Sequence, residues 1–302
     1  MTQRQNFLAL LLITGIAIAF RVPLLETLPP GLNFDEGGEG VAALDVAQGV
    51  YRLWWPIGGG KQPLMAYLVQ PLLFVFGRTV LALRLYPALM GLGAVLACYF
   101  FAARLFPPRQ SSNPLHTFIP ALTAMGLATA FWHVAFSRIA FRALSTPFVE
   151  ALAFGFFWLA LSSERRRDVW LAGAFIGGMI YTYLAGWFVP VVIVLFLAVE
   201  ALLAWRNRHR PLVAQHGSKL LQMVGAAAVV AGPLLGYFGL NPGAFFDRGQ
   251  AVSVFSAAAP GEMGSVVLQT TLTTLGTFFS LTGDPNPLAN IPGRPELGPL
   301  PA

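Results

Sequence analysis

The chain has 302 residues, 56% of them hydrophobic and 11% charged, and a mean hydropathy of +0.66; this excludes an ordinary soluble domain and matches polytopic membrane proteins. At about 20 residues per crossing, the length holds roughly seven or eight spans and two sizeable loops. The net charge of +6 comes from basic residues in short loops between apolar runs, a topology pattern that excludes nucleic acid as a partner, and the lone Cys98, inside an apolar run, excludes a disulfide framework or a thiolate metal site.

The first apolar run, 7–25, follows Arg4 and carries Arg21 near its outer end, where a long side chain is expected to snorkel to the headgroups. It resembles a signal peptide as far as Ala17-Ile18-Ala19, but it continues to Leu25 and further spans follow, so it reads as a span. Pro29-Pro30-Gly31 then forces a turn. It leads into Asn33-Phe34-Asp35-Glu36-Gly37-Gly38-Glu39-Gly40, the one crowd of acidic residues in an oily chain. A long loop, 26–83, contains the apolar run 63–76, which at about 14 residues, with Gln70 and Pro71 inside it, reads as interfacial or re-entrant. Six more runs follow, 85–103, 118–136, 147–161, 169–185, 187–204 and 220–240. The stretch 169–204 is too long for one crossing, and Gly186 is its expected hairpin.

Seven spans put Arg4, Arg104 with Arg109, Arg165-Arg166-Arg167, and Arg206 with Arg208, Arg210 and Lys219 on one side, which by the positive-inside rule is the cytoplasm. The other side receives Asp35, Glu36, Glu39, Asp45, Asp247, Glu262, Asp284 and Glu296. The expected fold is an all-α polytopic membrane protein, one domain over 1–302, with about seven transmembrane helices. Its parts are a first extracytoplasmic loop at 26–83, six further spans within 84–240, and a second extracytoplasmic loop at 241–302 rich in turn residues. The Pro- and Gly-rich ending without a closing span reads as a C-terminal truncation. Function is expected in the long outer loops rather than the tight connectors.

Asp35 and Glu39 stand at i, i+4, but Gly37, Gly38 and Gly40 argue against a regular helix there, so only proximity is inferred. The stretch is either a solvated acidic loop or, since crowded like charges at a membrane surface are unfavourable without cause, a general base or cation site. Gly58-Gly59-Gly60-Lys61-Gln62-Pro63 fails as a P-loop, because Gln62 stands where Ser or Thr is required. It remains a flexible turn delivering one ammonium, which reads as a snorkelling surface lysine or a ligand group. Arg138 and Arg142 would share a face if their segment is helical, on the side where arginines run against topology. They suit bidentate phosphate binding, or else lipid headgroups or Glu150; Arg84 is a weaker candidate of the same kind. His116, His133, His209 and His216 lack ligand spacing. Tyr181, Tyr183 and Trp187 are explained by an aromatic belt.

Asp35-Glu36 opening the first loop, Gly60-Lys61-Gln62-Pro63-Leu64, Arg84-Leu85-Tyr86-Pro87 with Gly91, and Ser137-Arg138-Ile139-Ala140-Phe141-Arg142 occur in an order that resembles the C-type-fold membrane glycosyltransferases. The likeness is to the bacterial members of glycosyltransferase family 39, protein-mannosyltransferase-like, and the aminoarabinose-transferase-like group. The runs Gly283-Asp284-Pro285-Asn286 and Asn290-Ile291-Pro292-Gly293 resemble a loop of some of these proteins. Gln62 departs from the aminoarabinose pattern, which leaves the donor sugar open, and the family's later spans and C-terminal domain are absent from the sequence. The resemblance implies sugar transfer from a polyprenyl-phosphate donor to a glycan, lipid or protein acceptor at the outer face of a bacterial plasma membrane, with inversion. It implies Asp35 as base with Glu36 second, and Lys61, Arg138, Arg142 and Arg84 on the lipid phosphate. A divalent metal near Asp35 and Glu36 stays unassigned. The rival readings are a transporter or flippase of a lipid-linked anion and a noncatalytic assembly subunit.

Overall fold

The computed structural model describes residues 3–107, 114–246, 253 and 261–279. These residues form an all-α membrane protein. Five helices are long and apolar enough to cross a bilayer: α1 (Gln3–Arg21), α4 (Val80–Leu105), α7 (Ser145–Ser162), α9 (Val189–Arg206) and α10 (Leu212–Leu240). Shorter helices complete the order: α2 (Phe34–Ala47), α3 (Leu64–Phe76), α5 (Ile119–Thr129), α6 (Phe131–Phe136), α8 (Arg166–Gly178) and α11 (Met263–Phe279).

Each of the seven apolar runs contains helix, but 118–136 is broken where one rod was expected, and the turn within 169–204 is longer and begins earlier than a hairpin at Gly186. The run 118–136 divides at Ala130, whose ψ of 120° cannot continue a helix, into α5 and α6. The run 169–204 does not turn at Gly186 alone. Helix α8 ends at Gly178, and two 3₁₀ turns, Met179–Tyr181 and Leu184–Phe188, fill the break before α9. The 63–76 run is the 13-residue helix α3, packed on α2 and α4. Part of the expected outer loop at 241–302 is helix α11, while Asp247, Asp284, Glu296 and the 283–295 motifs lie outside the described residues.

Helix α4 packs against α1, α3, α5 and α7, and α8 packs against both α7 and α10. The α8–α10 contact is backbone on backbone: a Cβ on Gly173 would lie 2.3 Å from the Met223 carbonyl oxygen, and one on Gly177 2.4 Å from that of Ala227. Small residues one turn apart are the usual means of such approach in lipid, where apolar side chains gain little by leaving their surroundings. Helix α9 instead turns Val191, Val192, Val194 and Leu195 outward, as a lipid-facing helix must.

Arg21 does not snorkel. It is wholly buried at the end of α1 and donates to the carbonyls of Ala17, Leu127 and Ala128 at 3.2, 3.1 and 2.9 Å, with its Nη2 2.8 Å from His133 Nδ1. The last carbonyls of α5 lack helical partners and carry partial negative charge, so they supply what an unpaired guanidinium needs. Arg21 thereby ties α1 to α5 and α6 beside the core of Ile13, Ala17, Val95, Ala124 and Ala128.

Candidate functional site

Despite its glycines, Phe34–Ala47 is a regular helix, because its first turn is capped from both directions. The Asn33 side chain accepts from the Glu36 amide at 2.9 Å, and the Asn33 amide donates to Glu36 Oε2 at 3.1 Å. Helix α2 then buries one face, Glu36, Glu39, Ala42, Ala43 and Val46, so both glutamates point inward rather than to solvent. A Cβ on Gly38 would lie 3.0 Å from Lys61 Cε; the glycine lets the lysine pass close over the helix.

Glu36 forms a closed clasp with Arg84, the fifth residue of α4. Arg84 Nε donates to Oε1 at 2.8 Å and Nη2 to Oε2 at 3.1 Å, a two-pronged pair, and the Ala140 amide adds a bond of 2.9 Å to Oε1. The remaining Arg84 donors take the carbonyls of Leu25 (3.4 Å), Pro29 (2.7 Å) and Gly31, so the arginine fastens the 22–33 turn as well. Burial alone would raise the Glu36 carboxyl. The Arg84 hydrogen bonds, the amides of Ala140 and Asn33 and the Arg84 charge together outweigh it and hold the group below its ordinary value.

One turn along α2, Glu39 is arranged differently. Its Oε1 accepts from Lys61 Nζ at 2.9 Å and from Arg142 Nη1 at 2.5 Å, and all three residues are buried. Lys61 arrives on a tight loop closed by the pair of backbone bonds between Trp55 and Lys61, at 2.8 and 3.2 Å. Gly58, Gly59 and Gly60 in this loop all have positive φ, and a Cβ on Gly60 would lie 2.1 Å from the Trp54 ring. Arg142 opens the 3₁₀ turn Arg142–Leu144 ahead of α7; its Nε donates to Gln62 Oε1 at 3.0 Å, its Nη2 reaches the Gly60 carbonyl at 3.5 Å, and its guanidinium lies 5.2 Å from the Tyr183 ring centroid. Two cations share one carboxylate oxygen, so the cluster holds one positive charge in excess. Glu39 Oε1 is the acceptor of the Lys61 ammonium, which has three protons to donate.

Asp35 lies one turn before Glu39, exposed in the first turn of α2. Arg138 and Arg142 do not share a helix face, because 137–141 is not helical. Arg138 turns away to the carbonyls of Phe20, Pro23 and Leu28 at 3.0, 2.7 and 3.3 Å. Half burial, and then the charge of Arg84, lower its pKa. The structure thus brings Lys61 and Arg142 together on Glu39, keeps Glu36 with Arg84 in a separate clasp, uses Arg138 as a strap, and leaves Asp35 exposed in the first turn of α2. Glu39, Gln62 and Tyr183 were not expected as site residues: in the sequence Glu39 reads as part of the acidic crowd, Gln62 as a departure from the family pattern and Tyr183 as part of an aromatic belt. Only the crowding of acids pointed to Glu39, since its partners lie 22 and 103 residues away.

Asp45 receives the Trp55 indole at 3.0 Å. Among the described residues no group of three or more His, Cys, Asp and Glu could hold a metal ion. Glu36 and Glu39 face arginine and lysine instead, a donor set unsuited to a divalent cation. No protein-family model, no curated protein and no solved structure matches this chain.

Proposed function

We propose that this protein is a membrane glycosyltransferase that moves a sugar from a polyprenyl-phosphate donor to an acceptor at the extracytoplasmic face of the plasma membrane. The observation that carries the reading is a buried cluster with one cation in excess, Lys61 and Arg142 on a single Glu39 oxygen, on the helix whose first turn presents the exposed Asp35. Excess positive charge held out of water calls for an anion, and a lipid phosphate supplies one. In this reading α1, α4, α5 with α6, α7, α8, α9 and α10 make seven crossings, and the basic connectors lie in the cytoplasm.

The chemistry is a single displacement. The acceptor hydroxyl oxygen attacks the anomeric carbon, the bond from that carbon to the phosphate oxygen breaks, and its electron pair leaves with the polyprenyl phosphate. Asp35 takes the hydroxyl proton. Lys61 and Arg142 balance the charge that gathers on the phosphate, and their positions are fixed before the substrate arrives. A phosphodiester leaving group is already an anion, so no second carboxyl is needed to protonate it. Glu39 is a positioning residue that holds both cations, while Glu36, Arg84 and Arg138 hold the frame.

The test is transfer of radiolabelled sugar from a polyprenyl-phosphate donor in membranes containing the protein. Replacing Asp35 with Asn is expected to lower turnover about 10²- to 10⁴-fold with donor affinity unchanged. A transporter of the same lipid would bind and move the donor without transfer in either form. An assembly subunit would be indifferent to the substitution.

A further inference from the structure

Behind the Lys61 loop lies a cavity of about 470 Å³, lined by Trp54, Gly59, Gly60, Tyr237, Asn241 and Ala244 among others. It joins the first loop to the end of α10, two regions about 180 residues apart in the chain. Its Gly60 wall is shared with the charged cluster, because the carbonyl of Gly60 is the one that Arg142 Nη2 approaches. None of its lining side chains is charged.

The lining is packed against an aromatic cluster and includes polar side chains. Trp54 sits edge-on to Phe238, with ring centroids 5.1 Å apart, and Trp187 packs on both Phe238 and Phe245 at 5.6 and 5.2 Å, which backs the cavity with a rigid aromatic cluster. Asn241 donates from Nδ2 to the Tyr237 carbonyl at 3.0 Å, which directs the amide and leaves its Oδ1 as an acceptor. Among the lining residues Tyr237 carries a hydroxyl and Trp54 an indole N–H, each able to donate. An uncharged cavity with an aromatic wall, an amide oxygen and hydroxyl and indole donors suits a neutral ring bearing several hydroxyls. A lipid chain would leave those polar groups without partners.

We infer that this cavity is a saccharide subsite, which seats a sugar ring against Trp54, Tyr237 and Asn241 on the far side of Gly60 from Lys61 and Arg142. The inference rests on the transferase reading for what the sugar is doing there, either as the transferred ring of the donor or as the acceptor glycan. The geometry requires only that a neutral saccharide bind.

The experiment measures binding to the full chain in nanodiscs, without turnover. The probes are polyprenyl phosphate alone, the same carrier bearing mannose or glucose, and a panel of free oligosaccharides. If the donor sugar occupies the cavity, the sugar-bearing carrier binds at least about tenfold tighter than the bare one, and Ala244→Trp, which fills the space, removes that advantage while bare-carrier binding stays within about twofold. If an acceptor glycan occupies it, Ala244→Trp abolishes oligosaccharide binding and leaves both carriers unchanged. Tyr237→Phe, which removes one hydroxyl and keeps the ring, is expected to weaken the same probe about fivefold and covers a failure of the tryptophan variant to fold. Binding of sugar-bearing carrier and oligosaccharides that is unchanged in both variants, or no saccharide binding by the wild type, overturns the inference. Saccharide binding that depends on Ala244, in a protein that transfers no label, would keep the subsite and reject the transferase.

Discussion

Glu36 and Glu39 are buried one turn apart on the same helix, yet the structure treats them as opposites. Glu36 meets one arginine through two bonds and fills its remaining acceptor positions with the amides of Asn33 and Ala140, which leaves a neutral, closed unit. Glu39 puts two cations on one oxygen, which leaves a positive, open one. A buried ion pair adds little net stability when every group is satisfied, but loss of one partner leaves an uncompensated charge. An unbalanced cluster, by contrast, reaches balance only when a further anion arrives. The first arrangement fixes a frame and, in the proposed function, the second receives the lipid phosphate, so the two should respond differently to the same kind of substitution.

The largest effect is expected at the closed unit. Replacing Arg84 with Met strands the Glu36 carboxylate out of water and frees the Leu25, Pro29 and Gly31 carbonyls, at a cost of about 3–5 kcal/mol. Thermal unfolding in detergent should show a large fall in the midpoint. A midpoint within a degree or two of wild type would mean that the clasp is not structural.

Much of the membrane framework was legible because it depends on local composition. Apolar runs of sufficient length become helices wherever they lie, since lipid leaves the backbone no other partner, and α1, α4, α7, α9 and α10 follow that rule. The break at Ala130 is marked in sequence only by Thr129, whereas the end of α8 falls on Gly177-Gly178, a turn signal outweighed in the sequence-based expectation by Gly186 further on. Helix α2 was misread for a specific reason. Glycines at 37, 38 and 40 weigh against a helix by propensity, yet the Asn33 and Glu36 spacing was a capping signal in plain view, and tertiary burial outweighs propensity. Lys61 and Arg142 could be nominated from residue type and from their breach of the charge rule, but their meeting on Glu39 depends on chain segments far apart. Arg21 was misassigned for the same reason, since the carbonyls that receive it come from Leu127 and Ala128.

A smaller effect, of a different kind, is expected at the open unit. Lys61→Met leaves Glu39 with Arg142 alone, a balanced pair, so folding should change little. Donor binding should weaken by about 1.5–3 kcal/mol, roughly ten- to hundredfold in Kd. Isothermal titration with polyprenyl phosphate, beside a melting curve of the same variant, reads both quantities. The contrast between the two units collapses if Lys61→Met lowers the midpoint as far as Arg84→Met does.

The smallest effect sharpens the comparison by dividing the Glu36 clasp into its parts. Asn33→Ala removes the side-chain cap on the Glu36 amide but keeps the backbone N–H that donates to Glu36 Oε2, and should cost about 1 kcal/mol. The Glu36 carboxyl is held below its ordinary value in the folded protein, so its contribution to stability is complete above the ordinary carboxylate range and is lost as pH falls through the depressed folded value. Because Asn33→Ala leaves Arg84 and both backbone donors in place, its melting curve should run below wild type by a nearly constant interval as the buffer is acidified. Glu36→Gln has no carboxylate to protonate, and its deficit relative to wild type should shrink over the same acid range. If the Asn33→Ala interval also narrowed with acid, the cap and the ion pair would be one coupled device, and the pKa of Glu36 would depend on the Asn33 side chain as well as on Arg84.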